Sequence, residues 1–496
     1  MMLQAYRFSP TKVRWGTPLL AVAAAALLAL LAYLTSEHVL SVLAVLISCV
    51  TAIPLLLRAE RDLFAPWIYT CYYVALNVLL RSVFIDFGIT GESDLDYIFY
   101  LGKPSEFLVQ STGVLLLGFF FLTLGYLWAP DRRLPLPQRI FRSDRYHPRR
   151  LRLALGLMLV AAFAALVAFI GLTFGGVTEF AIGMLSRHRG LSDDLEEYRA
   201  YGYLRLIIGL SNIVVYLAYA RLKTSNDSRG YYRWMLVVGM LVSVGMAFYS
   251  QGRAALVFVF LNLVFIKYYL DKRRFPWRVF ALTAPVAIVL FVVTSGLRGG
   301  SGVDLTTGLT PMKVVGPIVL NNGGIDASKT GHVIDYVDDS QDYQFGATLV
   351  QFVIAVVPRQ LWPTKPTNLD TYVGEKIYGA ETYGAQAVPP GFFGEMYMNF
   401  WYAGIVLGAF ALGALLKQIQ NLHCANRGST GFVLVYVVAL QQIGIGMLGS
   451  GFSSTLMGAL MAGVPLILVL YFITPRRVAA VGNTVAAGAP AGAAAR

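Results

Sequence analysis

The sequence has few charged residues, since only 14% of its 496 residues are Asp, Glu, Lys or Arg. A soluble protein carries nearer a quarter, so the composition excludes a chain made mostly of soluble domains. Three dispersed cysteines provide no disulfide framework. The sequence also has no phosphate-binding P-loop, no dinucleotide fingerprint and no Cys/His metal pattern. We therefore expect neither a cofactor nor a bound metal.

The sequence is instead rich in long apolar runs, and 57% of its residues are hydrophobic. Several runs exceed the roughly 18 residues that a helix needs to cross a bilayer. The pattern predicts an all-α polytopic membrane protein of about twelve transmembrane helices, forming a single transmembrane domain over residues 1–478. We read Thr17–Leu34 as a retained helix and not as a cleaved signal peptide. The predicted spans are 17–34, 39–57, 63–85, 106–129, 151–173, 202–220, 232–249, 253–270, 278–295, 398–416, 430–448 and 454–474.

Lysine and arginine concentrate in alternate loops, with the densest cluster between Arg132 and Arg150. Because cytoplasmic loops are enriched in these residues, the pattern predicts that both termini are cytoplasmic. It also predicts one large loop, 296–397, on the outer side, and a disordered cytoplasmic tail at 479–496. Within the large loop, the apolar segment Ala347–Val357 is too short to span and predicts a re-entrant or interfacial helix. The net charge of +13 thus reports topology and not nucleic-acid binding.

Five arginines depart from the cytoplasmic rule and map to the outer interface. Arginine near hydrocarbon is costly, so such residues usually have a partner or a ligand. Each one alone is equally explained by snorkelling or by pairing with a nearby carboxylate. Together on one side they favour a binding site for an anion. The five are Arg81, Arg205, Arg253, Arg298 and Arg359.

Arg253 is the most informative of the five, because Gly252-Arg253 opens a predicted span whose N-terminus faces outward. A helix N-terminus beside an arginine is a ready phosphate site. Arg298 lies in the glycine-rich stretch 296–302, which can bring backbone N–H groups to an anion. Arg359 and Lys365 lie in the proline-rich stretch 357–366 of the large loop. Together with Arg81 and Arg205, these four cations are the predicted diphosphate-binding set.

Glu395 lies just before predicted span ten, after Pro389-Pro390-Gly391. A partly desolvated carboxylate at the outer interface is a candidate general base, although a helix cap or an arginine partner explains it equally well. His332 and Asp335 in the large loop are reserve candidates. They belong to a group with Asp338, Asp339 and Asp342 that reads more readily as a solvated acidic face than as a metal site.

Three stretches together resemble a known family: Gly252-Arg253 opening a span, 358–366 (Pro-Arg-Gln-Leu-Trp-Pro-Thr-Lys-Pro), and 390–395 (Pro-Gly-Phe-Phe-Gly-Glu). The chain resembles the O-antigen and oligosaccharide repeat-unit polymerases (Wzy type). The architecture is similar over most of the chain, and the motifs over about 249–404. The paired basic motifs that some members carry in two outer loops have no match here.

The resemblance implies a GT-C-like helical fold in a bacterial inner membrane, with short interfacial helices in a periplasmic loop. It implies a membrane glycosyltransferase that joins undecaprenyl-diphosphate-linked oligosaccharides into O-antigen, capsule or exopolysaccharide. The implied partners are the lipid-linked oligosaccharide, membrane lipid, a chain-length regulator and a flippase, with no nucleic acid. The cations would hold the leaving diphosphate, and a base would accept the proton of the acceptor hydroxyl.

Two other functions fit parts of the same pattern. A polysaccharide flippase or other secondary transporter would also have about twelve spans, but it typically places charges near the midplane on broken helices and shows internal repeats. The O-antigen ligase uses the same donor and belongs to the same enzyme class. A non-catalytic scaffold gives no reason for the outer arginines.

Overall fold

The computed structural model describes residues 38–57, 62–87, 105–131, 146–174, 176, 178, 202–249, 253–271, 274–298, 319, 324–355, 357, 361–362, 364–379, 388–426 and 429–475. All regular structure within these ranges is helical. The helices in chain order are α1 (Val39–Leu57), α2 (Pro66–Asp86), α3 (Ser105–Trp128), α4 (Pro148–Phe174), α5 (Tyr203–Thr224), α6 (Arg229–Tyr249), α7 (Arg253–Leu270), α8 (Trp277–Arg298), α9 (Ala327–Ser340), α10 (Gln351–Ala355), α11 (Leu369–Lys376), α12 (Gly391–Ala425), α13 (Thr430–Ser450) and α14 (Phe452–Ile473).

Nine helices in the described part of the chain are long and apolar enough to cross a membrane. Two further predicted spans coincide with shorter apolar stretches, Ala255–Leu270 in α7 and Trp277–Leu290 in α8. The predicted span 17–34 and the predicted tail 479–496 lie outside the described residues, so the count of twelve stays a prediction. The predicted all-α polytopic architecture is confirmed at the level of membrane-length apolar helices.

Large apolar side chains around the lateral surface of the helix bundle are exposed, as is expected of helices that face lipid. Examples are Leu157 and Val160 on α4, Leu282 on α8 and Leu468 on α14, each more than half exposed. The interior, in contrast, holds polar contacts between helices, such as the 2.7 Å hydrogen bond between the hydroxyls of Ser211 and Ser243. Exposed apolar surface of this extent is typical of a protein whose solvent is a bilayer.

Contacts between helix ends fall into two sets, one at each end of the bundle. One set joins Asp131 to Lys417 at 3.0 Å and the backbone of Leu63 to the Tyr268 hydroxyl at 3.2 Å. The other set joins the large loop to the opposite ends of α2, α3 and α14. The two sets match the loops predicted as cytoplasmic and outer respectively. These contacts group the helix ends as the predicted alternation does, and the side of the membrane that each set faces stays a prediction.

Helix α12 is broken, and the chain reverses at the break. Phe400 has φ −145° and ψ 25°, and Trp401 has φ 57° and ψ −151°, which are not helical values. A Cβ on Gly408 would lie 2.6 Å from the Met396 sulfur, although twelve positions along a straight helix separate atoms by about 18 Å. Residues 391–399 (the first arm) therefore fold back against residues 402–425 (the second arm). Predicted span ten corresponds to the second arm, and Glu395 lies in the first.

Two glycines allow a close backbone contact between α3 and the second arm of α12. A Cβ on Gly125 would lie 2.0 Å from the Phe410 carbonyl oxygen, and a Cβ on Gly413 would lie 2.0 Å from the Leu122 carbonyl oxygen. Both contacts are to backbone atoms within helices, so an added side chain could be accommodated only by moving one helix away from the other. Small residues at such crossings let two membrane helices pack backbone to backbone.

We expect Gly413→Ala to lower the free energy of unfolding by roughly 1–3 kcal/mol, because the added methyl group forces α3 and α12 apart. The matched control is Gly463→Ala in α14, where a Cβ meets nothing within 4 Å. That change should be neutral or stabilising, since alanine favours a helix over glycine by up to about 1 kcal/mol. Thermal unfolding in detergent measures both, and equal stability of the two variants would refute the close contact.

Candidate functional site

The predicted diphosphate-binding cations are only partly described. Arg253 is the first residue of α7 and Arg298 the last residue of α8, but their side chains lie outside the described part, as does all of Arg359. The Lys365 ammonium donates to the Val357 carbonyl oxygen at 2.9 Å. Arg205 lies in the first turns of α5 and is half-buried. The proposal that these cations share one site stays a prediction.

Arg81 is buried in an ion pair with the large loop. Its Nη2 lies 3.0 Å from Asp326 Oδ2, and the two side chains are only 6% and 2% exposed. Asp326 is also the N-cap of α9, where its Oδ1 accepts hydrogen bonds from the Ser328 backbone at 2.9 Å and hydroxyl at 2.6 Å. Capping of this kind satisfies the free N–H groups of a helix start. One carboxylate thus fixes α9 both to its own first turn and to α2.

Lys329 is the second buried cation beside this pair, at 3% exposure, and its ammonium donates to the Gly324 carbonyl oxygen at 3.4 Å. Burial lowers its pKa to about 8, with Arg81 acting in the same direction and Asp326 opposing both. For Asp326, burial by itself raises the pKa. The attraction of Arg81 and Lys329 and the hydrogen bonds of Ser328 outweigh that effect, so the pKa lies below its usual value. The carboxylate is therefore ionised between two cations.

A small cavity adjoins Arg81 between α2, α3 and the start of α9. It has a volume of about 20 Å³, with Asn77, Ser82 and Thr112 among the polar residues that line it. The Nη1 atom of Arg81 is buried and makes no hydrogen bond within the described part of the chain. A cavity of this size holds one water molecule, which would satisfy that atom. The structure shows Arg81 in its ion pair with Asp326, and its predicted contact with a diphosphate stays a prediction.

Glu395 lies in the first arm of α12, is 0% exposed, and caps a different helix. Its carboxylate accepts hydrogen bonds from the backbone of Phe452 and Ser453, the first residues of α14, and from the Thr348 hydroxyl at 3.2 Å. Between α13 and α14, Gly451 has φ +107°, and a Cβ there would lie 2.6 Å from Glu395 Oε2. Only glycine fits that approach. A carboxylate at a helix N-terminus is stabilised by the unpaired N–H groups and the helix dipole.

Asn399 completes the support around Glu395 from one turn further along the first arm. Its side-chain amide donates to the Thr348 hydroxyl at 2.6 Å and to the Glu395 carbonyl oxygen at 2.7 Å. Its Oδ1 accepts from the Gly346 backbone at 2.7 Å. Residues 346–348, just before α10, are thereby held on the first arm. The predicted short helix in 347–357 exists as α10, and its predicted interfacial position stays a prediction.

Asp370 is a third carboxylate at this end of the bundle, in the first turn of α11. The Ser454 hydroxyl at the start of α14 donates to its Oδ1 at 3.0 Å. Burial raises its pKa to about 6, against the opposing effects of the Ser454 hydrogen bond and of Lys329. The carboxylates of Asp370 and Glu395 also repel each other electrostatically. Asp370 is therefore poised to exchange a proton near neutral pH.

These charged side chains form one group, which we call the outer charge cluster: Arg81, Asp326, Lys329, Asp370 and Glu395. It connects two helices of the large loop, α9 and α11, with the ends of three spans. It contains two cations and three carboxylates, so it carries both charge stabilisation and proton acceptors. Such a combination suits acid–base chemistry on a charged substrate.

The reserve candidates His332 and Asp335 both lie on α9. His332 is 3% exposed and packs its ring on Phe107, with ring centroids 4.7 Å apart, and on Tyr378 at 5.5 Å. On the other side of the helix, Asp338 accepts a hydrogen bond from the Tyr397 hydroxyl at 2.6 Å. Asp335 lies on the same helix and is half-buried. No group of three or more His, Cys, Asp or Glu residues in the described ranges is arranged to hold a metal ion.

Asp326, Lys329 and Asp370 were not predicted as site residues from the sequence. Asp326 carried one usable signal, because Asp-Ala-Ser before an amphipathic stretch is typical of a helix start. The Arg81 partner lies 245 positions away, and no local pattern indicates that pairing. Lys329 and Asp370 each stand in polar stretches where a charged residue is ordinarily solvated.

Similarity to known proteins adds nothing to this geometry. No family model matches the chain, and neither a curated protein nor a solved structure matches it.

Proposed function

We propose that the protein polymerises undecaprenyl-diphosphate-linked oligosaccharide repeat units into O-antigen, capsule or exopolysaccharide on the periplasmic face of a bacterial inner membrane. The outer charge cluster is the observation that supports this proposal. It lies where the helices of the large loop meet the span ends that are predicted to be outer, which is where a lipid-linked sugar diphosphate would present its reacting bond.

In the proposed reaction, a hydroxyl oxygen of the new repeat unit bonds to the anomeric carbon of the growing chain. The bond from that carbon to the diphosphate oxygen breaks, and its electron pair leaves with undecaprenyl diphosphate. The hydroxyl proton passes to a carboxylate of the protein. Negative charge therefore develops on the leaving group at the membrane surface, where fixed cations stabilise it most. The predicted cation set and the carboxylates of the outer charge cluster meet these two needs.

The position of the charges favours a glycosyltransferase over a transporter. In the candidate spans, the charged side chains that the structure describes lie toward helix ends or beside the break in α12, as Arg81, Lys267 and Glu395 show. A secondary transporter would place them near the midplane on broken helices. The break in α12 lies beside the outer charge cluster and not halfway along a span.

Reconstitution tests the proposed reaction directly. The purified protein in proteoliposomes should convert short lipid-linked repeat units into a ladder of longer products on a gel, with release of undecaprenyl diphosphate. Single transfer to a lipid acceptor without a ladder would instead identify a ligase. Passage of unextended units across the membrane would identify a flippase. In cells, loss of a polymerase leaves single repeat units on the lipid core, whereas loss of a ligase leaves none.

The cation set gives a separate prediction. Replacing Arg253, Arg298 or Arg359 singly with alanine should lower turnover about ten- to a hundredfold, since a charge-assisted hydrogen bond contributes roughly 1.5–3 kcal/mol. Lysine should restore only part of the rate at a bidentate contact. The control is Arg152→Ala on the exposed face of α4, which should keep full activity. Wild-type turnover in all three alanine variants, at equal expression, would remove these arginines from the site.

A further inference from the structure

The three carboxylates of the outer charge cluster differ in how much of their hydrogen-bonding capacity is in use. Asp326 holds Arg81 and caps α9. Glu395 accepts two backbone N–H groups and a hydroxyl, and has no exposed surface. At Asp370, the Ser454 hydroxyl donates to Oδ1, whereas Oδ2 accepts no hydrogen bond from the described residues. Asp370 also keeps some exposure. It is therefore the carboxylate that a substrate hydroxyl can reach.

The surroundings of Asp370 come from three elements and are suited to a proton acceptor. Lys329 on α9 attracts its carboxylate, Ser454 on α14 orients it, and Glu395 on α12 repels it. Lys329 also interacts electrostatically with Asp326 and Arg81. An oriented carboxylate with one free oxygen beside a cation is the arrangement that general-base catalysis requires.

We propose that Asp370 is the catalytic base of the glycosyl transfer, taking the proton of the acceptor hydroxyl on its free Oδ2, while Ser454 and Lys329 are positioning residues. This inference rests on the proposed function. The acceptor oxygen gives its proton to Asp370 as it bonds to the anomeric carbon, and the diphosphate leaves with the electrons of the broken bond. Asp370 then returns the proton to water. Glu395, in this arrangement, holds α14 so that Ser454 faces Asp370.

The acid–base behaviour of Asp370 supports this role. Burial raises its pKa to about 6, and Ser454 and Lys329 keep it from rising further. The base must be deprotonated to act, so the rate of the wild-type protein should rise with pH through about 6 and then level off. Removing the Ser454 hydroxyl takes away one of the two opposing effects. Ser454→Ala should therefore move this acid limb to higher pH.

The experiment compares Asp370→Asn, Ser454→Ala and Glu375→Gln with the wild type in the proteoliposome assay, over pH 5 to 9, with synthetic lipid-linked repeat units as the probe. Asp370→Asn keeps the shape and removes the base, so kcat should fall by about 10²–10⁴ with little change in KM. Glu375→Gln, on the same helix and also half-buried, should match the wild type.

Two measurements on two different variants can each overturn the assignment of Asp370 as the base. Asp370→Asn with wild-type kcat would overturn the inference. So would an acid limb that stays in place in Ser454→Ala, whose fold loses only one hydroxyl. Failure of the wild type itself to extend the repeat units would overturn the proposed function, and the inference with it. Loss of activity in Asp370→Asn beside an active wild type and an active Glu375→Gln supports both.

Discussion

Replacing Asp326 with asparagine should lower the free energy of unfolding by about 3–5 kcal/mol, because it removes the carboxylate that pairs with the buried Arg81 and attracts the buried Lys329. Arg81 and Lys329 are 5% and 3% exposed, and Asp326 is the carboxylate that lies between them. Asparagine is also a good N-cap, so the start of α9 keeps its cap and the change isolates the charge. The loss should appear as a lower midpoint of thermal unfolding in detergent.

A double-mutant cycle separates the ion pair from the bulk of its side chains. Arg81→Met alone leaves Asp326 with Lys329, and the double variant with Asp326→Asn removes both charges of the pair. The double variant should be more stable than the sum of the two single changes implies, by about 0.5–3 kcal/mol. Strict additivity would mean that the 3.0 Å contact contributes nothing.

The same ion pair predicts a pH dependence whose sign follows from the pKa of Asp326, which lies below its usual value. A carboxylate with a depressed pKa in the folded state contributes its stability above the unfolded pKa of about 3.9, and that stability is lost as pH falls through the folded value. The wild-type protein should therefore lose more stability than Asp326→Asn does when the pH is lowered below about 4. The gap between them should be constant from pH 5 to 7.

Glu395→Gln should destabilise the protein by about 3 kcal/mol, because the side-chain amide group meets backbone N–H donors that need an acceptor. The Phe452 and Ser453 N–H groups at the start of α14 would lose part of their buried partner. The helix dipole of α14 would also lose the negative charge that it favours. Unfolding in detergent, followed by intrinsic fluorescence, measures the change.

The control for Glu395 is Glu106→Gln, an exposed carboxylate in the first turn of α3. That change removes only a surface interaction with the helix dipole and should lower the free energy of unfolding by a few tenths of a kcal/mol, on the order of 0.3.

Measuring turnover distinguishes a helix-capping role of Glu395 from a role as the catalytic base. If Glu395→Gln keeps full stability but loses turnover, then Glu395 is itself the base, as the sequence suggested. If His332→Ala or Asp335→Asn alone abolishes turnover, the base belongs to α9.

The helices could be predicted from the sequence because hydrocarbon length and apolar composition suffice to locate a span. The reversal in α12 could not be predicted, because the sequence predicts a single span at 398–416 with Glu395 just before it, and nothing in it indicates a second helical arm that folds back on that span. The close fit of Gly404 and Gly408 against Met396 is visible only once the two arms are packed. Two glycines four positions apart, Gly404 and Gly408, indicate that another helix packs closely against this face. They do not indicate that the neighbour is the other arm of α12.

The site could be predicted only in outline. Misplaced arginines and an acid before a span singled out Arg81 and Glu395. Both side chains are buried, and their roles as site residues stay predictions. Their partners are an aspartate at the start of a loop helix and the backbone of a helix start. Every residue except proline has a backbone N–H group, so the sequence does not show which of them donates to Glu395. The pairing of Arg81 with Asp326 depends on tertiary packing, because the two residues are 245 positions apart. This is why the sequence left a helix cap and a general base as equal alternatives for Glu395, and did not indicate that the helix it caps is α14.

The separation of Arg81 from Asp326, 245 positions along the chain, also dictates when the outer end can be completed during synthesis. At bacterial and eukaryotic ribosome speeds, the aspartate follows the arginine by roughly 12–50 s. Until Asp326 has been made, Arg81 lacks the partner that it has in the folded protein, and a long arginine side chain near a helix end can reach toward the lipid headgroups instead. The buried ion pair between α2 and α9 can therefore form only late in synthesis, after the large loop has been made.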